Sequence, residues 1–274
     1  MIHISCIKIS LMRNNQIEFI LAPLANIIEE AVAALKGIPN GMASFPVSEY
    51  FLQSLFLRLT GAQEQKCKCI CWELATYDLE YRRRRFNSRE MLGECSCSEE
   101  KRKVLLDVRN AVVKIAGEEV AKGCFDKVRI KHDATTVVNV FHRAIEKMGW
   151  DERGYVQYVS VFLKRDDNCF FVDSGKGKSL FIKCDNCAAK DRKNVEDRCT
   201  FESLNDIYDN CVTMHRNRCA HNTASRLKYA SSLSDLRKGR CSEDNYFARF
   251  HLVLMVDMLM TALFKEWLFR REQA

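Results

Sequence analysis

Apolar residues recur at the three- and four-residue spacing of an α-helix through much of this sequence, and few prolines interrupt them. The strongest such stretch covers 245–270, where a mostly apolar sequence is interrupted by a few charged and polar residues and one histidine. Three prolines and eleven glycines in 274 residues offer few sites for the tight turns of a β-sandwich. The sequence therefore predicts a mainly α fold made of long helices and short connections.

The periodicity locates the individual helices. They are predicted over 16–35, 47–85, 98–123, 133–148, 152–164, a segment from 201 into the motif at 214–223, and 245–270. Pro23 is predicted either to kink the first helix or to mark its true first turn. The segment 47–85 is predicted as one long helix, or as two in line that are interrupted near Gly61.

The one convincing β signal is a hairpin near 168–183. Two short apolar runs flank the glycine-containing turn at 173–178, which carries Lys176 and Lys178. A P-loop is excluded here because Val172 stands where the first glycine is required and a strand follows where a helix is needed. The two lysines are either contacts to a phosphate backbone or part of an ordinary surface turn.

Two regions are expected, although no linker marks the boundary between them. Residues 1–130 form an N-terminal helical region of unknown role, and 131–274 form a helical domain into which the hairpin is inserted. No run of about 18 uncharged apolar residues occurs in the last helix, so we expect no membrane span. Asp257 lies inside that helix and must find a partner if it is buried, most simply in a structural salt bridge.

A short motif, 214–223, places an arginine, an amide and an imidazole within six consecutive residues: Arg216, Asn217 and His221. On a helix, Asn217 and His221 are four apart and share a face, whereas Arg216 and His221 diverge by roughly 140°. Arg216 and His221 therefore converge only if the helix bends or ends there, or if a second copy of the chain contributes. The alternative is that His221 complements a helix C-terminus and the arginines are solvated.

The pattern Arg-Asn-x-x-x-His, followed after a loop by an apolar C-terminal helix, resembles the signature of HEPN domains. That resemblance covers about half the chain, and it implies a helical bundle and a metal-independent ribonuclease with no cofactor. Such domains usually act as homodimers, in which each chain supplies its arginine and histidine to one composite site. They occur in toxin–antitoxin, abortive-infection and CRISPR systems, so an antitoxin or another regulatory protein is an expected partner.

The resemblance gives the motif residues roles. A histidine titrates near neutral pH and can take the proton of a ribose 2′-hydroxyl, while Arg216 binds the phosphate as its negative charge builds. Asn217 orients the imidazole or holds the phosphate, and Arg218 is a further candidate for RNA binding. The competing hypotheses are a catalytically inactive HEPN-like module that binds RNA or a protein, and a zinc-stabilised interaction protein.

The densest positive charge lies at Arg82, Arg83, Arg84 and Arg85, between Tyr81 and Phe86. Four consecutive arginines spread around a helix, so they are either a solvated helix end, where cations complement the dipole, or a phosphate-binding patch with flanking aromatic residues. The net charge of +7 suits a polyanionic partner such as RNA.

Fourteen cysteines are many for this length. Because no secretion signal opens the sequence, we expect a cytoplasmic protein with reduced thiols. Only Cys184 and Cys187 have the Cys-x2-Cys spacing of a zinc ligand pair. Without a second such pair we favour free thiols and no metal, and zinc at these two cysteines is the alternative.

Overall fold

The computed structural model describes residues 15–35, 45–87, 95–124, 139, 208–220 and 246–273. In chain order its elements are α1 (15–21), α2 (Ala25–Leu35), α3 (Phe45–Tyr77), α4 (Leu79–Asn87), α5 (Ser98–Ala116), α6 (Glu118–Gly123), a π-helical turn (Asp209–Thr213), α7 (Met214–Ala220) and α8 (Tyr246–Gln273). These residues are almost entirely helical and include no strand, which confirms a mainly α fold. The predicted hairpin at 168–183 and the helices predicted at 133–148 and 152–164 lie outside the described residues, apart from position 139.

The last helix, α8, is the centre of the packing. It runs against α5 and α3, and every residue from Arg249 to Asp257 is buried, as its apolar sequence predicts. Helices from both sides of residue 130 thus contribute to one hydrophobic core. The boundary at 130 itself stays a prediction, because most of 131–207 is not described. No described helix is long and apolar enough to cross a membrane.

A buried ion pair lies where the first helix is interrupted. Lys66 of α3 binds Asp257 of α8 at 2.8 Å, and both side chains are at least 97% buried. Helix α1 ends before Pro23, which leaves main-chain groups without helical partners. Lys66 Nζ donates to the carbonyl of Ala22, and the N–H of Leu24 donates to Asp257 Oδ2 at 3.3 Å. The predicted salt bridge of Asp257 is therefore confirmed. At Pro23, where a kink or a first turn was predicted, the chain leaves the helix and starts a new one at Ala25, and the ion pair binds the main chain of that interruption.

The break in 47–85 lies elsewhere than predicted. Helix α3 continues through Gly61, and the interruption comes at Asp78. The Asp78 carboxylate accepts the N–H of Tyr81 at 2.9 Å, which is the geometry of a side chain that begins a new helix. A capping carboxylate thus decides the break here, whereas the conformational cost of Gly61 is too small to end a packed helix.

The segment 98–123 begins as predicted but ends in two pieces. Ser98 is the first residue of α5, and Glu99 and Glu100 lie in its first turn. The Ser98 hydroxyl does not cap its own helix but donates to Asp209 Oδ1 at 2.9 Å. Gly117, with φ of +86°, separates α5 from α6, a break that the periodicity did not predict.

Candidate functional site

Residues 214–220 of the motif form α7, which is short and carries three of the predicted site residues. Arg216 is partly buried, while Asn217 and Arg218 are exposed. His221, Lys176 and Lys178 lie outside the described residues, so the structure brings together only the first half of the predicted site.

The guanidinium of Arg216 is oriented by two neighbours. Its Nη2 donates to Glu64 Oε2 at 3.1 Å, and its Nη1 donates to Asn217 Oδ1 at 3.2 Å. Glu64 belongs to α3 and also binds Lys68 at 2.8 Å. Because the Arg216 side chain keeps 26% of its surface accessible, its position is defined while it still reaches solvent. This arrangement is suited to an arginine that meets an anion from solution.

The π-helical turn before α7 changes which residues are buried. The sequence periodicity places Tyr208, Cys211, Met214 and His215 on one apolar stripe. In the structure Tyr208, Val212 and Thr213 are buried, and Met214 is 46% exposed. The assignment of Met214 to the stripe was wrong because a turn closed over five residues shifts the burial pattern by one position.

Tyr208 fixes the start of this turn in the core. Its hydroxyl donates to Gln63 Oε1, and Gln63 Nε2 donates to the carbonyl of Val253 at 2.9 Å. Burial raises the pKa of Tyr208. The motif helix is thus tied to both α3 and α8 through one buried glutamine.

His215 is a packing residue. Its ring lies 5.2 Å from that of Phe56 and 5.3 Å from that of Tyr246, and its Nε2 is within 3.4 Å of both the Tyr246 hydroxyl and Cys219 Sγ. Burial, together with the nearby charge of Arg249 and Arg218, lowers the pKa of His215 to about 3. A group that stays neutral far below neutral pH is a poor proton carrier there, which leaves His221 as the candidate base.

The four arginines of α4 have different environments. Arg85 is held by Asp107, with Nη2 2.7 Å from Oδ2, and lies 3.7 Å from Glu100. Arg84 also approaches Asp107, at 3.5 Å, but most of its side chain is exposed. Arg82 and Arg83 lie on the exposed surface. Arg85 therefore forms a structural ion pair with Asp107. RNA binding by Arg82, Arg83 and Arg84 stays a prediction.

Several buried thiols lie between α3 and the start of α5. The hydrogen bond with Cys67 is the main cause that raises the pKa of Cys95 to about 12. The buried ammonium of Lys101 donates to the carbonyls of Cys95 and Ser96 at 2.8 and 3.0 Å, and burial lowers the pKa of Lys101. Among the described residues no group of three or more side chains is arranged to hold a metal. Cys184 and Cys187 lie outside this part of the chain.

Two polar residues that matter most for the motif were not predicted. Glu64 pairs with Arg216, and Gln63 anchors Tyr208, although both are far from the motif in sequence. The sequence feature that could have indicated these contacts is the polar run at 63–66, in the middle of a helix that is otherwise rich in apolar residues. A polar run in a packed helix predicts a hydrogen-bond network but does not identify its distant partners.

Comparison with protein-family models, with curated proteins and with solved structures finds no match to this chain.

Proposed function

We propose that this protein is a metal-independent RNA endonuclease of the HEPN type, with Arg216, Asn217 and His221 as the site residues. The observation that carries the proposal is the position of Arg216, which is held at the surface of a short helix by Glu64 and Asn217. An arginine oriented in this way meets a phosphate without first losing side-chain freedom.

The chemistry follows from the side chains. The neutral imidazole of His221 takes the proton from a ribose 2′-hydroxyl, whose oxygen then attacks the adjacent phosphorus. Arg216 stabilises the negative charge that builds on the phosphate oxygens. The P–O5′ bond breaks, the 5′-oxygen receives a proton, and the products are a 2′,3′-cyclic phosphate and a 5′-hydroxyl. DNA is resistant because it has no 2′-hydroxyl.

The proposed active form is a homodimer with a composite site, since Arg216 and His221 diverge on a regular helix. The Met214 side chain and the amide of Asn217, both exposed on α7, are available to such an interface. By its resemblance the protein acts in the cytoplasm as a toxin or phage-defence effector, restrained by an antitoxin or a similar partner.

A second candidate function is supported by the same ion pair. Because Glu64 already neutralises Arg216 within one chain, the pair also suits a catalytically inactive HEPN-like module that binds RNA or a protein partner. In that case Arg216 positions the helix rather than a phosphate.

The test is RNA cleavage in EDTA by wild type, Arg216→Ala and His221→Ala, with a DNA strand of the same sequence as a second substrate. We expect both variants to lose about 10²- to 10⁴-fold in rate, the usual contribution of a positioned proton-transfer group or oxyanion partner. Mass spectrometry of the products should detect the cyclic phosphate.

Arg58→Ala is the matched control, because Arg58 forms the same kind of pair, with Glu30 at 2.7 Å, away from the motif. It should cleave as fast as wild type. Equal cleavage by all four proteins would remove the motif from the mechanism. RNA binding without any cleavage by wild type would favour the inactive module.

A further inference from the structure

A second concave site lies well away from the motif. It is a cavity of about 920 Å³ between the C-terminal part of α3, α4, α5 and the end of α8. This volume falls within the range of small-molecule sites, about 300–1,000 Å³. Tyr77, which lines it, follows Glu64 on α3 by about 20 Å at the helical rise of 1.5 Å per residue. The cavity is therefore separate from the surface that holds Arg216.

One wall of the cavity is aromatic and carries a guanidinium group. The rings of Tyr77 and Trp267 are 5.8 Å apart in an edge-to-face arrangement. The Arg271 guanidinium carbon lies 3.8 Å from the centre of the Tyr77 ring and 5.0 Å from that of Trp267. Tyr77 is 42% exposed, so it still presents surface to a ligand. A planar ring can stack on such a wall, as nucleobases do on aromatic side chains and on arginine.

The rim of the same cavity carries exposed cations. Lys114 of α5 pairs with Asp78 at 2.9 Å, and Arg84 of α4 approaches Asp107 at 3.5 Å. The side chains of Lys114 and Arg84 are 63% and 68% exposed. Because an ion pair with an exposed cation contributes only about 0–1 kcal/mol, an incoming phosphate can take over Lys114 and Arg84 at little cost. Asp78 then keeps the N–H of Tyr81, and Asp107 keeps Arg85.

The aromatic wall and the exposed cations together fit one class of ligand. A purely apolar molecule makes no favourable contact with the cations, and an acidic peptide does not stack on the aromatic wall. A nucleotide uses both, and its ribose hydroxyls and base amino groups match the carboxylates of Asp78 and Glu80. We propose that this cavity binds a nucleotide, with the base against Tyr77 and Arg271 and the phosphate at Lys114 and Arg84.

The nucleotide is either free or part of an RNA strand, and the two sources are separated by the choice of probe. Calorimetric titration of the full chain uses AMP, inorganic phosphate and a 2′-O-methyl RNA pentamer, which cannot be cleaved through its 2′-oxygens. Saturable binding of AMP assigns the site to a free nucleotide, and binding of the pentamer alone assigns it to a strand. In either case binding of the nucleotide must be tighter than that of inorganic phosphate.

The variants are Lys114→Ala and Arg271→Ala, and each has a matched control on the same helix. Lys103→Ala removes another paired lysine of α5, and Arg270→Ala removes the arginine that packs on Phe269. We expect about tenfold or greater loss of affinity in Lys114→Ala and Arg271→Ala, the scale of a charge-assisted contact, and no change in the controls. If Arg271→Ala does not fold, the exposed position of Lys114 keeps the test valid.

Three results would overturn the inference: no binding of AMP or the pentamer at millimolar concentration, equal affinity for AMP and inorganic phosphate, or equal affinity in the cavity variants and their controls. None of these results depends on cleavage. Failure of this site and failure of the Arg216 and His221 experiment are therefore distinguishable.

Discussion

At the scale of single residues, the buried His251 and the half-buried His215 give the protein a defined pH response. Burial lowers the pKa of His251 to about 4, and His215 is shifted further in the same direction. In the unfolded chain a histidine titrates near 6.5. As the pH falls below about 6.5, the unfolded state binds protons that the folded state does not, so the free energy of unfolding falls.

We therefore expect His215→Phe to lose less stability than wild type between pH 6.5 and pH 4.5. The phenyl ring retains the packing against Phe56 and Tyr246, and it cannot take up a proton in the unfolded chain. The difference in slope should be at most about 1.4 kcal/mol per pH unit, the value for one proton. Urea unfolding at a series of pH values measures it. The same slope in both proteins would contradict the assignment.

The candidate site was only partly predictable at this scale. The motif identified Arg216 and Asn217, which the structure places in contact with each other. It did not identify Glu64, because a partner far away in sequence is chosen by how two helices pack. The helical periodicity placed Met214 on the buried stripe, because it assumes a regular α-helix throughout, and the π-helical turn changes which residues are buried.

At the scale of the helices, Gly117 and Gly61 test why a helix ends at one glycine and continues through the other. Gly117 has φ of +86° and ψ of 169°, a region that only glycine occupies without strain, whereas Gly61 lies inside α3. Neither position has a neighbour within 4 Å of an added Cβ, so only the backbone decides the outcome.

Gly117→Ala should destabilise the protein by about 1–3 kcal/mol, because alanine is strained in that conformation. Gly61→Ala is the matched substitution and should stabilise by about 0.5–1 kcal/mol, since it removes backbone entropy from the unfolded chain. Thermal unfolding of both variants beside wild type measures the two changes. A change of the same sign in both would show that something other than backbone conformation controls them.

Helix prediction succeeded where one strong local preference acts. Pro23 ends α1 because it lacks an N–H and its ring obstructs the preceding turn, and Glu99 and Glu100 stand in the first turn of α5. It failed at Gly61 and at Asp78. At Gly61 the helix continues because packing outweighs a small glycine penalty, and at Asp78 it ends because the carboxylate caps a new helix. Neither effect can be read from hydrophobic periodicity.

At the scale of the whole molecule, the pair of Lys66 and Asp257 joins the break at Pro23 to α3 and α8. Burial raises the pKa of Asp257, and the ammonium of Lys66 opposes that rise. Lys66→Met leaves a buried carboxylate without its counter-ion, so we expect a loss of about 3–5 kcal/mol in the free energy of unfolding.

The double variant Lys66→Met with Asp257→Leu should recover part of that loss, because no lone charge remains in the core. Recovery stays incomplete, since the carbonyl of Ala22 and the N–H of Leu24 lose the side chains that bind them. Arg58→Met breaks an exposed pair and should change stability by less than about 1 kcal/mol. Denaturation with urea compares the four proteins. A loss in Lys66→Met no larger than in Arg58→Met would mean that the buried pair is not what holds these helices.

The shared core also bears on how the protein is made. Helices α2 to α6 leave the ribosome well before α8, and about 120 residues lie between Cys124 and Tyr246. At a synthesis rate of roughly 5–20 residues per second, that interval is about 6–24 s. During that interval the apolar faces of α3 and α5 are not yet covered by α8, so the nascent chain is a target for chaperones. A protein built this way completes its hydrophobic core only after α8 has been synthesised.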